Sequence, residues 1–311
     1  MMDGIIIIDK PQGKTSHDVV WEIKKILGVE KVGHTGTLDP LATGVLPLCI
    51  NEGTKLAQFF TSDSKEYRAT ILLGVKTDTY DVEGTVLAEQ KICLGSEEIE
   101  QAVRSLVGSR SQVPPAYSAV KYHGKPLYRW ARKGISVETP ARTIEIYRAS
   151  LEDVSLPYVT VRISCSKGTY IRSLCSDLGE MLGCGACLAG LRRLRSGNYS
   201  EEAALSVQDL GEKDKKQVLA AHLINMADAL PDIAVVQIDR PLAEKLRQGY
   251  QPVVESLFPY HIPFLAAGDM LRFIFNSRLV AIAKILYPSD RLSTLDGQEQ
   301  AVRIMRVFNG L

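Results

Sequence analysis

Tyr67, Ala69, Ile71 and Leu73 occupy alternate positions with Arg68, Thr70 and Leu72 between them, and Val159, Val161, Ile163 and Cys165 alternate with Thr160, Arg162 and Ser164. Successive strand residues face opposite sides of a sheet, so this period of two assigns both segments to half-buried strands. Elsewhere the period is helical. Val19, Val20, Ile23, Ile26 and Leu27 form one apolar stripe, with Thr15 or Ser16 as N-cap, Asp18 placed for a capping box and Gly28 as the stop. Glu97 to Val107 and Ile171 to Leu182 read as further helices, and the apolar run Ile5 to Ile8 as a strand. Strands and helices mix without a regular βαβ rhythm, which predicts an α+β fold.

Past Ala229, Leu230 and Pro231 the texture changes. Short strands are predicted at Met270 to Phe275, Leu279 to Ile285 and Ala301 to Phe308, with Asn276 and Ser277 as a hairpin turn and a helix Pro241 to Gln248 closing at Gly249. This pattern reads as a compact β-barrel. A chain of 311 residues is expected to hold two domains, here 1–230 and 234–311. The charged stretch Glu212 to Lys216 is expected in a solvated connection.

Hydrophobic residues make up 45% of the chain and charged residues 23%, the balance of a globular protein rather than a disordered or membrane one. No apolar run approaches the length of a bilayer, and Ile5 to Ile8 is boxed between Asp3 and Asp9, without a secretion signal. Cys49, Cys93, Cys165, Cys175, Cys184 and Cys187 follow no framework spacing, which suits reduced thiols in a cytoplasm. A net charge of +1 argues at first against nucleic acid. The distribution reverses that inference, because Gln101 to Val137 holds no Asp or Glu yet carries Arg104, Arg110, Lys121, Lys125, Arg129, Arg132 and Lys133.

Three apparent motifs fail. Gly13-Lys14-Thr15-Ser16 imitates a phosphate loop, but Ile8 stands where a glycine is needed and Pro11 removes an amide donor. Cys184 and Cys187 have zinc-knuckle spacing without a second pair, so they read as small packed residues and no metal is expected. Asp78, Asp81 and Glu83 lack the alternating ligands of a calcium loop and read as a polar turn.

Residues 33 to 44, Gly-His-Thr-Gly-Thr-Leu-Asp-Pro-Leu-Ala-Thr-Gly, hold three glycines, a proline and one carboxylate, Asp39. Pro40 biases Asp39 toward an extended or turn conformation. On composition alone the simpler reading is that Asp39 caps the next helix turn at Thr43, since Asp-Pro is a common helix start. The stretch, however, resembles the catalytic loop of the TruB family of pseudouridine synthases. Four further segments agree in order: Asp9-Lys10-Pro11-Gln12-Gly13 to Ser16; Tyr67-Arg68 with Gly74 and Thr77-Asp78-Thr79; Pro114-Pro115 to Tyr117-Ser118-Ala119; and Lys167-Gly168-Thr169-Tyr170-Ile171-Arg172, followed by Leu191-Arg192-Arg193.

The resemblance implies the pseudouridine synthase fold, a mixed and mainly antiparallel sheet flanked by helices. It implies isomerisation of the T-loop uridine of tRNA, position 55 in standard tRNA numbering, with no cofactor. Asp39 is then the nucleophile or the base at the sugar, two roles that the residues leave open. Arg172 is implied as the cation that keeps Asp39 charged in a largely dry pocket. Tyr67 would stack on the flipped base and exchange the proton at C5, although its strand position alone suits a core residue. Tyr170 and Leu191 would line the substrate pocket and His34 would contact RNA, where by composition it is a solvated loop histidine. Lys10 would support the site or touch RNA. Lys121, Lys125, Arg129, Arg132 and Lys133, interleaved with Tyr117, Tyr122, Tyr128 and Trp130, suit phosphates and exposed bases. In the family this region, about 112–137, is an insertion that grips the T arm. The C-terminal unit resembles a PUA domain through Gly268-Asp269, Leu279 to Ala283 and the last strand. The expected protein is a stand-alone monomer acting on tRNA without guide RNA or membrane. The competing readings are a guide-dependent relative and a non-catalytic RNA-binding protein.

Overall fold

The computed structural model describes residues 2–309 except 61–63, 136 and 212–213. Glu212 and Lys213 of the charged connection therefore lie outside the described residues, and the chain resumes as helix Lys215–Ala221 behind its N-cap Asp214.

Four consecutive isoleucines explain the first strand. Gly4–Lys10 is buried on both faces: Ile6 and Ile8 join one apolar cluster, while Ile5 and Ile7 join another on the opposite side. The neighbouring strand Ala42–Ile50 divides in the same way, with Leu46, Leu48 and Ile50 on the first side and Val45 and Cys49 on the second. A strand covered on both faces needs a continuous apolar run rather than alternation.

Lys65–Leu73 and Tyr158–Cys165, read from their alternation, pair antiparallel through eight residues. Among the described residues they belong to a nine-stranded sheet, in the order Gly4–Lys10, Ala42–Ile50, Ala186–Ser196, Lys65–Leu73, Tyr158–Cys165, Arg142–Ser155, Gly108–Gln112, with Val32–His34 and Tyr199–Ser200 off that path. All its pairings are antiparallel except Leu191 to Arg193, which run parallel to Ala42 to Gly44. That parallel step inserts Ala186–Ser196 between two earlier strands and sets Leu191 to Arg193 beside the start of Ala42–Ile50, the strand into which the Asp39 loop leads.

Helices Ser16–Leu27, Ser96–Arg104 and Ile171–Met181 cover one face, contributing Val19, Ile23, Ile99, Val103, Leu174 and Leu178 to the first cluster. Thr15 caps the first helix with Asp18 reciprocating, and Gly28 ends it at φ 68°. Cys184 and Cys187 are buried free thiols, the latter pushed up to about 11 by burial.

The C-terminal unit departs from expectation. Ala234–Gln237, Met270–Phe275, Arg278–Ile285 and Val302–Val307 form an open four-stranded sheet, with the first pair parallel, and no closed barrel is found among the described residues. Across 252–264 the chain makes one antiparallel bridge, Val253 to Gln300, and then turns into a short helix, Val254–Leu257, while Pro252, Pro259 and Pro263 remove backbone donors that a further strand would use. Asn276 and Ser277 turn the hairpin at φ 48° and 59°, as their residue types anticipate.

Candidate active site

Asp39 sits on an irregular loop clamped on both sides. Ser16 Oγ, at the start of the first helix, accepts from Leu38 N at 2.8 Å and donates to Leu38 O at 3.1 Å. Pro40 O accepts from Gly13 N at 2.9 Å and from Lys10 Nζ at 3.4 Å. The Lys10 ammonium, fully buried, also donates to Pro11 O at 2.9 Å and Lys14 O at 2.6 Å. Burial takes it down to about 8, with Asp39 pulling it up. Lys10 therefore braces the loop from within, and it has no surface to offer RNA. Ala42 N donates to Asp39 O at 3.0 Å, closing a turn that leads into strand Ala42–Ile50. No helix follows for Asp39 to cap.

Arg172, the second residue of helix Ile171–Met181, is buried and reaches Asp39 Oδ2 through Nε at 2.9 Å. Its Nη1 donates to Thr79 O at 3.1 Å and lies 3.5 Å from Asp81 Oδ2, and Nη2 donates to Tyr117 O at 2.8 Å. Four partners fix the guanidinium plane, so its Nε–H is aimed before substrate arrives. Asp81 is one that the sequence reading passed over as part of a polar turn. It is buried and accepts from Thr79 Oγ1 at 2.7 Å and Glu83 N at 3.1 Å. Its role follows from a burial that no local pattern encodes.

Arg193 is the second such residue. Fully buried, it donates from Nε to Val45 O at 2.7 Å and from Nη2 to Gly36 O at 3.1 Å. Its strand position is opposite Tyr67 and Gly44. Tyr67 is buried, 8% exposed, and burial holds its hydroxyl above the ordinary tyrosine value while Arg193 pulls it back. Gly44 admits this packing: at φ 98°, an added Cβ would lie 2.3 Å from Arg193 O.

Leu191, two residues before Arg193 on the same strand face, is half-buried between Ala42 and Ala69. Tyr170 begins the helix that carries Arg172, and its backbone is gripped by the buried Gln112 side chain: Tyr170 N donates to Oε1 at 2.8 Å and Nε2 donates to Tyr170 O at 3.1 Å. His34 is half-buried, its imidazole drawn below the ordinary value by burial, then by Arg193 and His17, so it is neutral at pH 7. Its buried Nδ1 has no partner among the described residues.

One expectation changes. Asp39 was expected in a largely dry pocket, yet its side chain is 42% exposed, because the loop lies at the sheet surface and nothing covers its outer side. A dry site would require the RNA itself as the lid.

The basic residues lie apart from the sheet. Lys121–Tyr122 and Lys125–Pro126 form a small hairpin around His123 and Gly124, at φ 47° and 77°, followed by helix Leu127–Ala131. Lys121, Lys125, Arg129, Arg132 and Lys133 are all exposed. Lys125 stands 5.8 Å from the Trp130 ring, Arg132 5.6 Å from Tyr128, and Tyr122 meets Trp130 edge-on at 6.1 Å. The aromatic rings thus hold the cations outward. Tyr117 O, bound by Arg172, ties the base of this segment to the carboxylate site.

Residues 24–171 match the TruB family pseudouridylate synthase N-terminal domain, and residues 172–231 match the tRNA pseudouridylate synthase B C-terminal domain. A tRNA pseudouridine synthase B of Syntrophus aciditrophicus is 52% identical over 309 residues, 99% of each chain. One from Geobacter sulfurreducens is 42% identical over 310 residues, 99% of this chain and 100% of the relative. Among solved structures, a Cbf5-Nop10-Gar1 complex superposes with a TM-score of 0.75 at 29% identity, covering 99% of this chain and 85% of the other. An H/ACA RNP bound to a substrate RNA containing 2′-deoxyuridine superposes at 0.72 and 26% identity with the same coverage. The α+β architecture is the pseudouridine synthase fold. On these grounds the chain belongs to the TruB family of pseudouridylate synthases.

Proposed function

We infer that this protein isomerises uridine to pseudouridine in tRNA, and that the target is the T-loop uridine at position 55. The observation that carries the reading is the Asp39 carboxylate held 2.9 Å from a buried guanidinium on a loop clamped at both neighbouring residues. Binding alone does not need a carboxylate aimed at solvent beside an RNA surface. Catalysis at a ribose does.

The uridine leaves its stack, at a cost on the order of a few kcal/mol, and enters beside Asp39 with Tyr67 under the base. Asp39 either attacks C1′, forming an Asp39–C1′ bond as N1 leaves with the bonding pair as the uracil anion, or takes the C2′ proton as N1 leaves, giving a C1′–C2′ alkene. The uracil turns and C5 bonds to C1′, displacing the Asp39 carboxylate in the first route or with return of the proton to C2′ in the second; C5 then loses its proton and N1 gains one, so the base ends as neutral pseudouridine. Arg172 holds the Asp39 carboxylate in place for either role, and Asp81 and the Thr79 and Tyr117 carbonyls keep Arg172 aimed. Tyr67 holds the base and carries the C5 proton, Tyr170 and Leu191 border it, and His34, neutral, contacts the neighbouring nucleotides. Lys10 serves as a brace.

Residues 1–230 act as the catalytic domain and 234–311 as a PUA-like RNA-binding domain. Lys121, Lys125, Arg129, Arg132 and Lys133 take phosphates of the T arm. Because the chain carries this grip itself, it works as a cytoplasmic monomer without a guide RNA.

Purified protein incubated with an unmodified tRNA transcript labelled at uracil C5 is expected to release label with nothing else added. Asp39→Asn should abolish release, by at least about 10³-fold, while tRNA binding measured on filters persists. Absence of release by the wild-type protein from a correctly folded T arm would reject the isomerase. Release only with added guide RNA would favour the guide-dependent alternative.

A further inference from the structure

The first helix turns Val19, Val20, Ile23 and Leu27 inward, yet its outer face carries Trp21, 62% exposed. Lys25 places its ammonium 5.3 Å from the indole centroid. His17, Trp21 and Lys25 recur every fourth residue, so they stand in one row along about 12 Å of helix. This row forms a wall of a groove of about 870 Å³, and helix Lys215–Ala221 opposite supplies Lys216.

The groove is built for an anion with aromatic character. Four lysines line it against two carboxylates, and both carboxylates are engaged, Asp18 in the capping box with Thr15 and Glu22 2.6 Å from Lys14. Lys25 and Lys216 are left facing solvent beside an uncovered indole. A stacking ring flanked by ammonium groups is the chemistry that holds single-stranded RNA, the ring taking a base face and the cations the phosphates. An exposed indole beside cations with no free carboxylate fits an acidic nucleic acid better than a basic or neutral protein surface.

The groove also adjoins the carboxylate site. His17, on its wall, lies near enough to His34 to repel a proton from that imidazole. Lys14, at the same end, accepts through its carbonyl from the Lys10 ammonium that reaches Pro40 O beside Asp39. Along the helix His17 stands nearest the Asp39 loop, and Trp21 follows about one turn further on.

We propose that this groove receives the RNA strand leading away from the target uridine, with one unpaired base or ribose stacked on Trp21 and phosphates on Lys25 and Lys216. The proposal rests on the isomerase reading for its substrate. It adds a second contact surface, opposite in sequence to the basic insertion.

Steady-state turnover on full-length tRNA transcript tests it. Trp21→Ala removes an exposed side chain, so circular dichroism should be unchanged, KM should rise roughly ten-fold and kcat should stay within about two-fold. Lys25→Ala should raise KM less and flatten its salt dependence. The chain has two tryptophans, so Trp130→Phe leaves Trp21 as sole reporter, and tRNA should quench its fluorescence in parallel with filter binding. An unchanged KM in Trp21→Ala together with no quenching overturns the groove, including the case in which it serves a protein partner. Quenching without any turnover by the wild-type protein would keep the groove as an RNA site and reject the isomerase instead.

Discussion

At the scale of single residues, the site depends on buried charged groups, and Lys10 is the one held by backbone carbonyls. The Lys10 ammonium has three carbonyl partners and a pKa pulled down to about 8 by burial. Its folded value lies below the ordinary 10.5, so between about pH 8 and 10.5 the unfolded chain binds more protons than the folded one. The contribution of this residue to stability therefore rises with pH across that window, while the charge that braces Pro40 is lost. Turnover is expected to fall on an alkaline limb near pH 8, and a kcat profile of Lys10→Met should lack it. The same limb in the variant would assign the titration to another group. Gly44 offers a cleaner steric test. Gly44→Ala and Gly13→Ala both place a side chain at positive φ, 98° and 83°, but only the first meets backbone, Arg193 O at 2.3 Å, whereas Gly13 faces open space. Backbone strain alone costs about 1 kcal/mol, and the clash should add about 2 kcal/mol or more. Thermal denaturation of the pair isolates that difference; equal melting points would show that the strand moves away freely.

At the scale of elements, the basic insertion is thinly packed. Between Lys121 and Ile135 only Leu127 is buried, so the segment holds its shape through the hairpin turn, ring contacts and local backbone bonds, with Leu127 N to Val120 O and Tyr128 N to Ser118 O tying it to the chain just before it. Such a unit opens at low cost and can fit itself to an RNA surface. Its link to chemistry runs through Gln112 on Tyr170 and through Tyr117 O on Arg172, one at each side of the helix start that carries the guanidinium. Replacing Lys121 and Lys125 with Ala should weaken tRNA binding equally for all sequences and reduce the slope of log K against log salt by roughly 1 per residue. Titrations across a salt series check this, and an unaltered slope would remove these lysines from the phosphate contacts. Helix and strand periodicities made most elements legible, since amphipathic faces repeat at fixed intervals. The 252–264 segment was not legible, because prolines and aromatics there suit several backbones and only packing against the last sheet selects one.

At the scale of the whole molecule, the two sheets share a core. Ile5, Ile7, Val45 and Phe60 from the large sheet side meet Ile274, Leu279, Ile282 and Phe308 from the small one. Lys55 Nζ donates to Val307 O at 3.3 Å, and Asn309 N donates to Glu52 Oε2 at 3.1 Å across the same junction. Arg272, buried, adds a bond to Ile233 O at 2.8 Å and another to Ala227 O. A joint this apolar predicts cooperative unfolding. Phe308→Ala should destabilise by about 3–5 kcal/mol and shift one common transition for far-ultraviolet dichroism and tryptophan fluorescence. Because Trp21 and Trp130 lie on the large-sheet side, a fluorescence transition left in place would mean that the units unfold separately.

Sequence alone determined the α+β class, the helix Thr15 to Gly28 with its cap and stop, the alternating strands at Tyr67 and Val159, and the rigidity of the loop around Asp39. These follow from side-chain period, capping chemistry and backbone sterics, all of which act within a few residues. It also placed Asp39, Arg172 and Tyr67 in one family pattern. Only the tertiary structure decided that Asp81 shares Arg172, that Arg193 lies against Tyr67, that Lys10 is sealed inside, that Asp39 stays open to solvent, and that the last sheet does not close. Each of these depends on which distant segment lies beside which, and contacts between residues as far apart as Asp81 and Arg172 or Tyr67 and Arg193 leave no local mark in the chain.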